Sequence, residues 1–205
     1  MEKFSQIGQD IIVSTYFNHK LNGTFLDIGC GYPKKINNTY LLENNLNWNG
    51  ISIDLENYIE DDGTKWEDCR KTERILSDAL TLNYNDILSK LSINGTVDFL
   101  TMDLEPPQIT FECLYKIPFD DYKFNFICFE IDEGREGGED RKKITRDYLK
   151  SKNYIFLGNL HGQDDVYVHE SFYNEVKNIN FFEVVENSGT SKHTIKLFNP
   201  EYEIF

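Results

Sequence analysis

Five carboxylates, Asp27, Asp54, Asp78, Asp103 and Glu130, each close a short apolar run, at separations of 27, 24, 25 and 27 residues. Each interval has room for one strand and one returning helix, and in an open parallel α/β sheet ligands bind outside the carboxyl ends of the strands. The spacing therefore predicts that these acids line one edge of a sheet and face one cleft. Carboxylates placed there can accept hydrogen bonds from hydroxyl and amino groups, hold a hard cation, or take up a proton.

The first acid introduces the sharpest motif. In Thr24-Phe25-Leu26-Asp27-Ile28-Gly29-Cys30-Gly31 an apolar run breaks into Gly-x-Gly, and a polar helix start follows at Asn37-Asn38-Thr39. Glycine suits such a turn because a backbone without Cβ bends sharply and lets a ligand approach closely. A nucleoside-cofactor site is the leading reading. Dinucleotide sites favour a third glycine, where this chain has Lys34 preceded by Pro33, and that counts against NAD. Asn38 and Thr39 either touch the cofactor or cap the helix.

The elements that must position these residues follow from the apolar pattern. Strands are predicted at 23–28, 50–54, 73–77, 97–102, 124–129, 154–157 and 166–168, the last possibly antiparallel. The run 97–102 is apolar nearly throughout, as a central strand buried on both faces should be. Helices are predicted at 5–17 with Ser5 as N-cap, at 38–45, 84–92, 109–117 and 141–152, with Pro106-Pro107 delaying the helix after strand four. The stretch 58–71 reads as a loop around a short helix, and 130–140 as an acidic, Gly-rich loop. The fold class is α/β: a Rossmann-like, doubly wound, mostly parallel sheet in one domain over 1–205, with a helical extension at 1–22 and a tail at 174–205.

A net charge of −14 over 205 residues argues against a nucleic-acid backbone or an anionic membrane surface as partner. No apolar run approaches the roughly 20 residues that cross a bilayer. The four cysteines, Cys30, Cys69, Cys113 and Cys128, show no Cys-x-x-Cys spacing, and the first residues do not read as a signal peptide, so a reduced, cytoplasmic setting is expected, the host's cytoplasm if the chain is viral. An oligomer is compatible with the sequence.

Several ordered motifs together resemble the FkbM-like family of class I S-adenosylmethionine-dependent methyltransferases: Ser5-Gln6-x-x-Gln9-Asp10, Gly23 to Gly29, Asn38-Thr39-Tyr40-Leu41-Leu42-Glu43, Trp48-x-Gly50-Ile51 and Asp98-Phe99-Leu100-x-x-Asp103-x-Glu105. The similarity spans about residues 5–168. It implies O-methylation of a hydroxyl, on a sugar in a glycan or glycosylated metabolite, with S-adenosylmethionine as cofactor. The turn from Asp27 through Gly29 to Gly31 would hold the methionine end of the cofactor, Asp54 the ribose hydroxyls, and Asp78 would lie near the adenine. The chain departs from the family pattern at Glu105-Pro106-Pro107-Gln108 and Glu130-Ile131-Asp132. Asp103, Glu105, Glu130 and Asp132 are candidates either to hold a divalent metal (Mg or Mn) or, through Asp103 or Glu130, to act as base; a solvated acidic loop is the plainer account of the last two. His161, after strand six, is an alternative base or an exposed turn residue. A catalytically silent cofactor-binding module and an NAD-dependent oxidoreductase are the competing functional readings.

Overall fold

The apolar runs that the sequence separates by turn residues become seven strands, and the computed structural model describes residues 2–188 of the chain. The strands are β1 (Thr24–Ile28), β2 (Asn49–Asp54), β3 (Glu73–Leu76), β4 (Thr96–Met102), β5 (Lys123–Glu130), β6 (Tyr154–Leu160) and β7 (Asp164–His169). They form one sheet in the order β3-β2-β1-β4-β5-β7-β6. The first five pair in parallel, and β7 enters antiparallel between β5 and β6. This is the Rossmann-like α/β fold expected, with β4 central and buried along nearly its whole length. The chain order reverses between β1 and β4, so the crevice beyond their carboxyl ends is the topological switch point of the sheet.

Helices cover both faces. On one side pack α1 (Gln9–Tyr16), α2 (Tyr40–Leu46), α7 (Glu170–Val176) and α8 (Phe181–Asn187), whose apolar residues join Phe25, Phe99, Phe126 and Val168 of the strands. On the other, α4 (Tyr84–Leu91), α5 (Pro107–Leu114) and α6 (Gly138–Ser151) close over Leu26, Leu100, Ile127 and Tyr167. A short α3 (Trp66–Cys69) lies within the polar loop expected at 58–71. Among the described residues no helix is long and apolar enough to cross a membrane.

Three expectations change. The first helix starts at Gln9 rather than at 5, behind Gly8 in the left-handed region, and Ser5 is not its cap. Instead the backbone N–H groups of Phe4 and Ser5 and the Ser5 hydroxyl all donate to the Asp10 carboxylate, which folds the segment back on the helix. Helix α1 is packed into the core rather than extending from it, since Ile12 and Val13 are fully buried. Helix α5 begins at Pro107, because a proline at the first helical position gives up only an N–H that has no intrahelical partner. Strands β6 and β7 run longer than predicted: the Asp164-Asp165 pair, poor in intrinsic strand preference, is drawn in by pairing with β5 and β6. Of the tail, α7 and α8 cover the sheet, and residues 189–205 lie outside the described residues.

Candidate active site

The Gly29 turn is dictated by its neighbours. Gly29 has φ +87°, and a Cβ there would lie 1.8 Å from the carbonyl oxygen of Asp103, so the loops after β1 and β4 touch only because this residue has no side chain. Its N–H and that of Cys30 donate to the Ile53 carbonyl at 2.8 and 3.2 Å, anchoring the turn on β2. Gly31, φ +61°, donates its N–H to Asp54 Oδ2 at 2.8 Å and faces open space.

That space is a cavity of about 370 Å³ at the switch point. Four carboxylates line it, Asp54, Glu56, Asp103 and Glu105, together with the rings of Tyr32 and Tyr58 and the aliphatic side chains of Ile36 and Leu55; among the described residues no lysine, arginine or histidine does. The rings of Tyr32 and Tyr58 lie 5.1 Å apart.

Asp27 is beneath the turn, 2% exposed, and not among the lining residues. Thr39 Oγ1 donates to it at 2.7 Å. Burial pushes its carboxyl up to about 7 against the lowering effects of Thr39 and Arg70. Arg70, which the sequence reading missed, is the hub of this layer: it pairs with Glu43, donates to Pro33 O, Asn37 Oδ1 and Thr39 Oγ1, and stacks on Trp66 at 4.2 Å. Burial opposes the charge on Glu43, but Arg70 and the donors around it outweigh burial and hold its carboxyl below the ordinary value. Thr39 is thus turned inward onto Asp27, while Asn38 donates to Thr101 Oγ1 at 2.9 Å. Asp78 is exposed, caps the 3-10 turn Ala79–Thr81 by accepting from Leu80 N, and does not line the cavity.

The second layer is a row of acids across the strand ends. Asp103 opens onto the cavity and shares a hydrogen bond with Glu130. Glu130 also accepts from Thr110 Oγ1 at 3.1 Å and stands directly across from Asp164 in the β5–β7 register. Asp164 accepts from Gln9 Nε2 at 2.8 Å. All three carboxyls are pushed above the ordinary range by burial first; the charge of Asp103 then raises Glu130 and Asp164, whereas Asp103 is raised by Glu105, Asp132 and Asp54 and lowered by its hydrogen bond with Glu130. Neighbouring buried carboxylates cannot all ionise cheaply, so the row favours keeping a proton among its members, with Glu130 the most strongly raised.

The expected metal quartet does not form. Glu105 takes a bidentate ion pair from Arg135 at 2.8 and 2.9 Å, and Arg135 Nε also pairs with Asp132 at 2.5 Å, so two of the four acids are already engaged by one guanidinium. Among the described residues no group of three His, Cys, Asp or Glu is arranged to hold a metal ion. His161 sits in the β6–β7 turn at φ +58°; burial and the charge of Lys3 lower its pKa, and no hydrogen bond ties its ring to Asp103 or Glu130.

Asp164 and its partner Gln9 are not among the site residues that the sequence predicts, because the spacing pattern singles out acids that end strands and Asp164 begins one. An antiparallel strand brings its first residue to the same edge, and an acid opening the apolar run Val166-Tyr167-Val168 was the available signal.

No family model matches the chain, and no curated protein matches it. Among solved structures it is similar to a "putative rRNA-methylase" from Clostridium thermocellum, with 17% identity, covering 82% of this chain and 99% of that one, at a TM-score of 0.46.

Proposed function

We propose that this protein is an S-adenosylmethionine-dependent methyltransferase acting on a hydroxyl. The observation that carries the reading is the lining of the switch-point cavity: a Gly-x-Gly turn and four carboxylates, of which only Glu105 has an arginine partner, with no basic side chain among the described lining residues. Such a site repels a pyrophosphate, which disfavours NAD, and suits a ligand with ribose hydroxyls, an α-ammonium and a sulfonium. Its volume lies within the ordinary range for small-molecule sites. The sheet also departs from the dinucleotide order, since β7 enters antiparallel beyond β5.

When bound, the cofactor supplies an electrophilic methyl carbon. The chain's own residues do the rest. Asp54, fixed by the N–H groups of Gly31 and Glu56, presents its carboxylate to hydroxyl donors. Asp103 takes the proton of the acceptor hydroxyl as its oxygen gains the methyl group, its carboxyl raised toward neutral pH by burial and by the charges of Glu105, Asp132 and Asp54, with Glu130 hydrogen-bonded behind it. No step passes through a metal. In line with the family resemblance, the acceptor is a sugar hydroxyl of a glycan or glycosylated metabolite; the paired rings of Tyr32 and Tyr58 at the cavity support an acceptor with a flat apolar face.

Calorimetric titration with S-adenosylhomocysteine tests the cofactor. Micromolar binding, about −8 kcal/mol, that falls at least tenfold in Asp54→Ala and is not displaced by NAD is the expected result. Preferential binding of NAD would leave only the fold standing.

A further inference from the structure

A second and larger cavity, about 880 Å³, adjoins the first. Its walls come from the N-terminal segment folded back by Asp10 and from the loops at 34–36 and 60–64. Ile36 lines both cavities and is the wall between them. Its backbone has φ +53°, a left-handed conformation that is a genuine outlier for a β-branched residue, and its side chain is 49% exposed. The backbone is held there by Glu60, whose Oε1 accepts from the N–H groups of both Lys34 and Lys35 at 2.8 Å. Strain of this kind persists where surroundings over-determine it, and it clusters at ligand sites.

The charges in this groove are not equivalent. Glu60 is occupied by the loop backbone, Asp61 by Lys35, and Asp62 by the Thr64 N–H of its own turn. Among the described residues Lys3 and Lys34 form no ion pair, although both line the groove. Lys34 Nζ lies over the rings of Phe4 and Tyr40 at 5.6 and 5.7 Å, and these rings meet at 4.7 Å. Asp62 feels Lys34 only as a minor charge, and Glu2 is exposed at the rim. The groove also carries Glu2, Glu60, Asp61 and Asp62, but Glu60 and Asp62 are turned to backbone N–H groups and Asp61 to Lys35, which leaves Lys3 and Lys34 as its two ammonium groups without an ion-pair partner among the described residues, beside an aromatic pair at the door of the reaction cavity.

We propose that this groove binds the acceptor, that the acceptor carries an anionic group, a phosphate or a carboxylate, which Lys3 and Lys34 engage, and that Ile36 is the wall residue over which its hydroxyl reaches Asp103. The assignment to the acceptor rests on the methyltransferase reading; the binding of an anionic sugar does not. The global negative charge repels long polyanions, whereas a single anionic group needs only these two ammonium groups at contact distance.

The test is an NMR titration of the intact protein, labelled at isoleucine methyls, with glucose 6-phosphate, glucuronate and methyl glucoside, in wild type and in Lys34→Gln and Lys3→Gln. At least one anionic sugar is expected to shift the Ile36 methyl signal, to bind at least fivefold more tightly than methyl glucoside, and to weaken at least fivefold in Lys34→Gln; the tighter of the two identifies the anion. Equal binding of methyl glucoside, an unmoved Ile36 signal, or undiminished binding in both lysine variants overturns the proposal. S-Adenosylhomocysteine titrated on the same sample separates the two readings. Its binding without that of either anionic sugar removes the groove alone, whereas an anionic sugar bound in a protein that ignores S-adenosylhomocysteine removes the groove's role as acceptor site together with the methyltransferase reading.

Discussion

Asp98, near the start of β4, and Asp103, just past its end, are treated in opposite ways. Asp98 accepts from Thr24 N at 2.9 Å, from Lys20 Nζ at 2.8 Å and from Asn125 Nδ2 at 3.2 Å, so it ties β1, β4 and β5 together at the amino edge of the sheet. Asp103 is held at the carboxyl edge against Glu130, with further negative charge from Glu105 and Asp132. The backbone shows the same polarity. Left-handed residues ahead of β1, β2, β4 and β6 are Asn18, His19, Asn22, Asn47, Asn94 and Asn153, types that tolerate the conformation, whereas the carboxyl edge adds the β-branched Ile36 to Asp132 and His161. One edge has its acid satisfied by donors, and the other carries charge repulsion and strain of the kind that clusters at functional sites.

The sharpest way to break the contrast is to neutralise each acid in turn. Asp103→Asn is expected to lower methyl transfer at least a hundredfold while changing unfolding free energy by less than about 1 kcal/mol, because it removes repulsion as well as a hydrogen bond. Asp98→Ala is expected to cost about 2–3 kcal/mol in urea unfolding, since it strands the buried Thr24 N–H, and to leave binding of S-adenosylhomocysteine intact. A large stability loss in the first variant would show that the carboxyl edge is structural after all.

The pH dependence of stability sharpens it further. Asp27, Asp164 and Glu130 have folded-state pKa values raised by burial, so their contribution is fully present below the ordinary carboxylate range and is lost as pH rises through the raised values. Thermal stability is therefore expected to increase on acidification from about pH 9 to about pH 5, by about 2 kcal/mol or 4–8 °C. Below the ordinary carboxylate range the trend reverses as Glu43, held low by Arg70 and the donors around it, takes up a proton. Scanning calorimetry across this range decides it, and the loss of slope in Asp164→Asn measures the share of that residue.

The smallest effect concerns Gln9. Gln9→Leu removes the donor to Asp164, and should cost about 1–2 kcal/mol at pH 8 but clearly less at pH 5.5, where a protonated Asp164 no longer needs that donor. Equal losses at both pH values would mean that Gln9 matters only for packing.

The rhythm of apolar runs and acids determined the α/β class, the central place of β4 and the presence of Asp54 and Asp103 at one edge, because a parallel βα unit returns every strand in the same direction and so delivers each terminal residue to the same side. The motif around Asp27 and Thr39 was visible as well, but its role was not: these residues point beneath the turn, to each other and to Arg70, rather than into the cavity. Three decisions belonged to the tertiary structure. The antiparallel entry of β7 brought Asp164, by its strand start, into the acid row beside Gln9, a partner 155 residues away in sequence. Arg135 captured Glu105 and Asp132, which spacing alone had grouped with Asp103 as metal ligands. Asp78 became the cap of a turn. Spacing within one chain fixes which residues share an edge, but the proton, cation or hydrogen bond that satisfies each one comes from whichever distant group packing brings within about 3 Å.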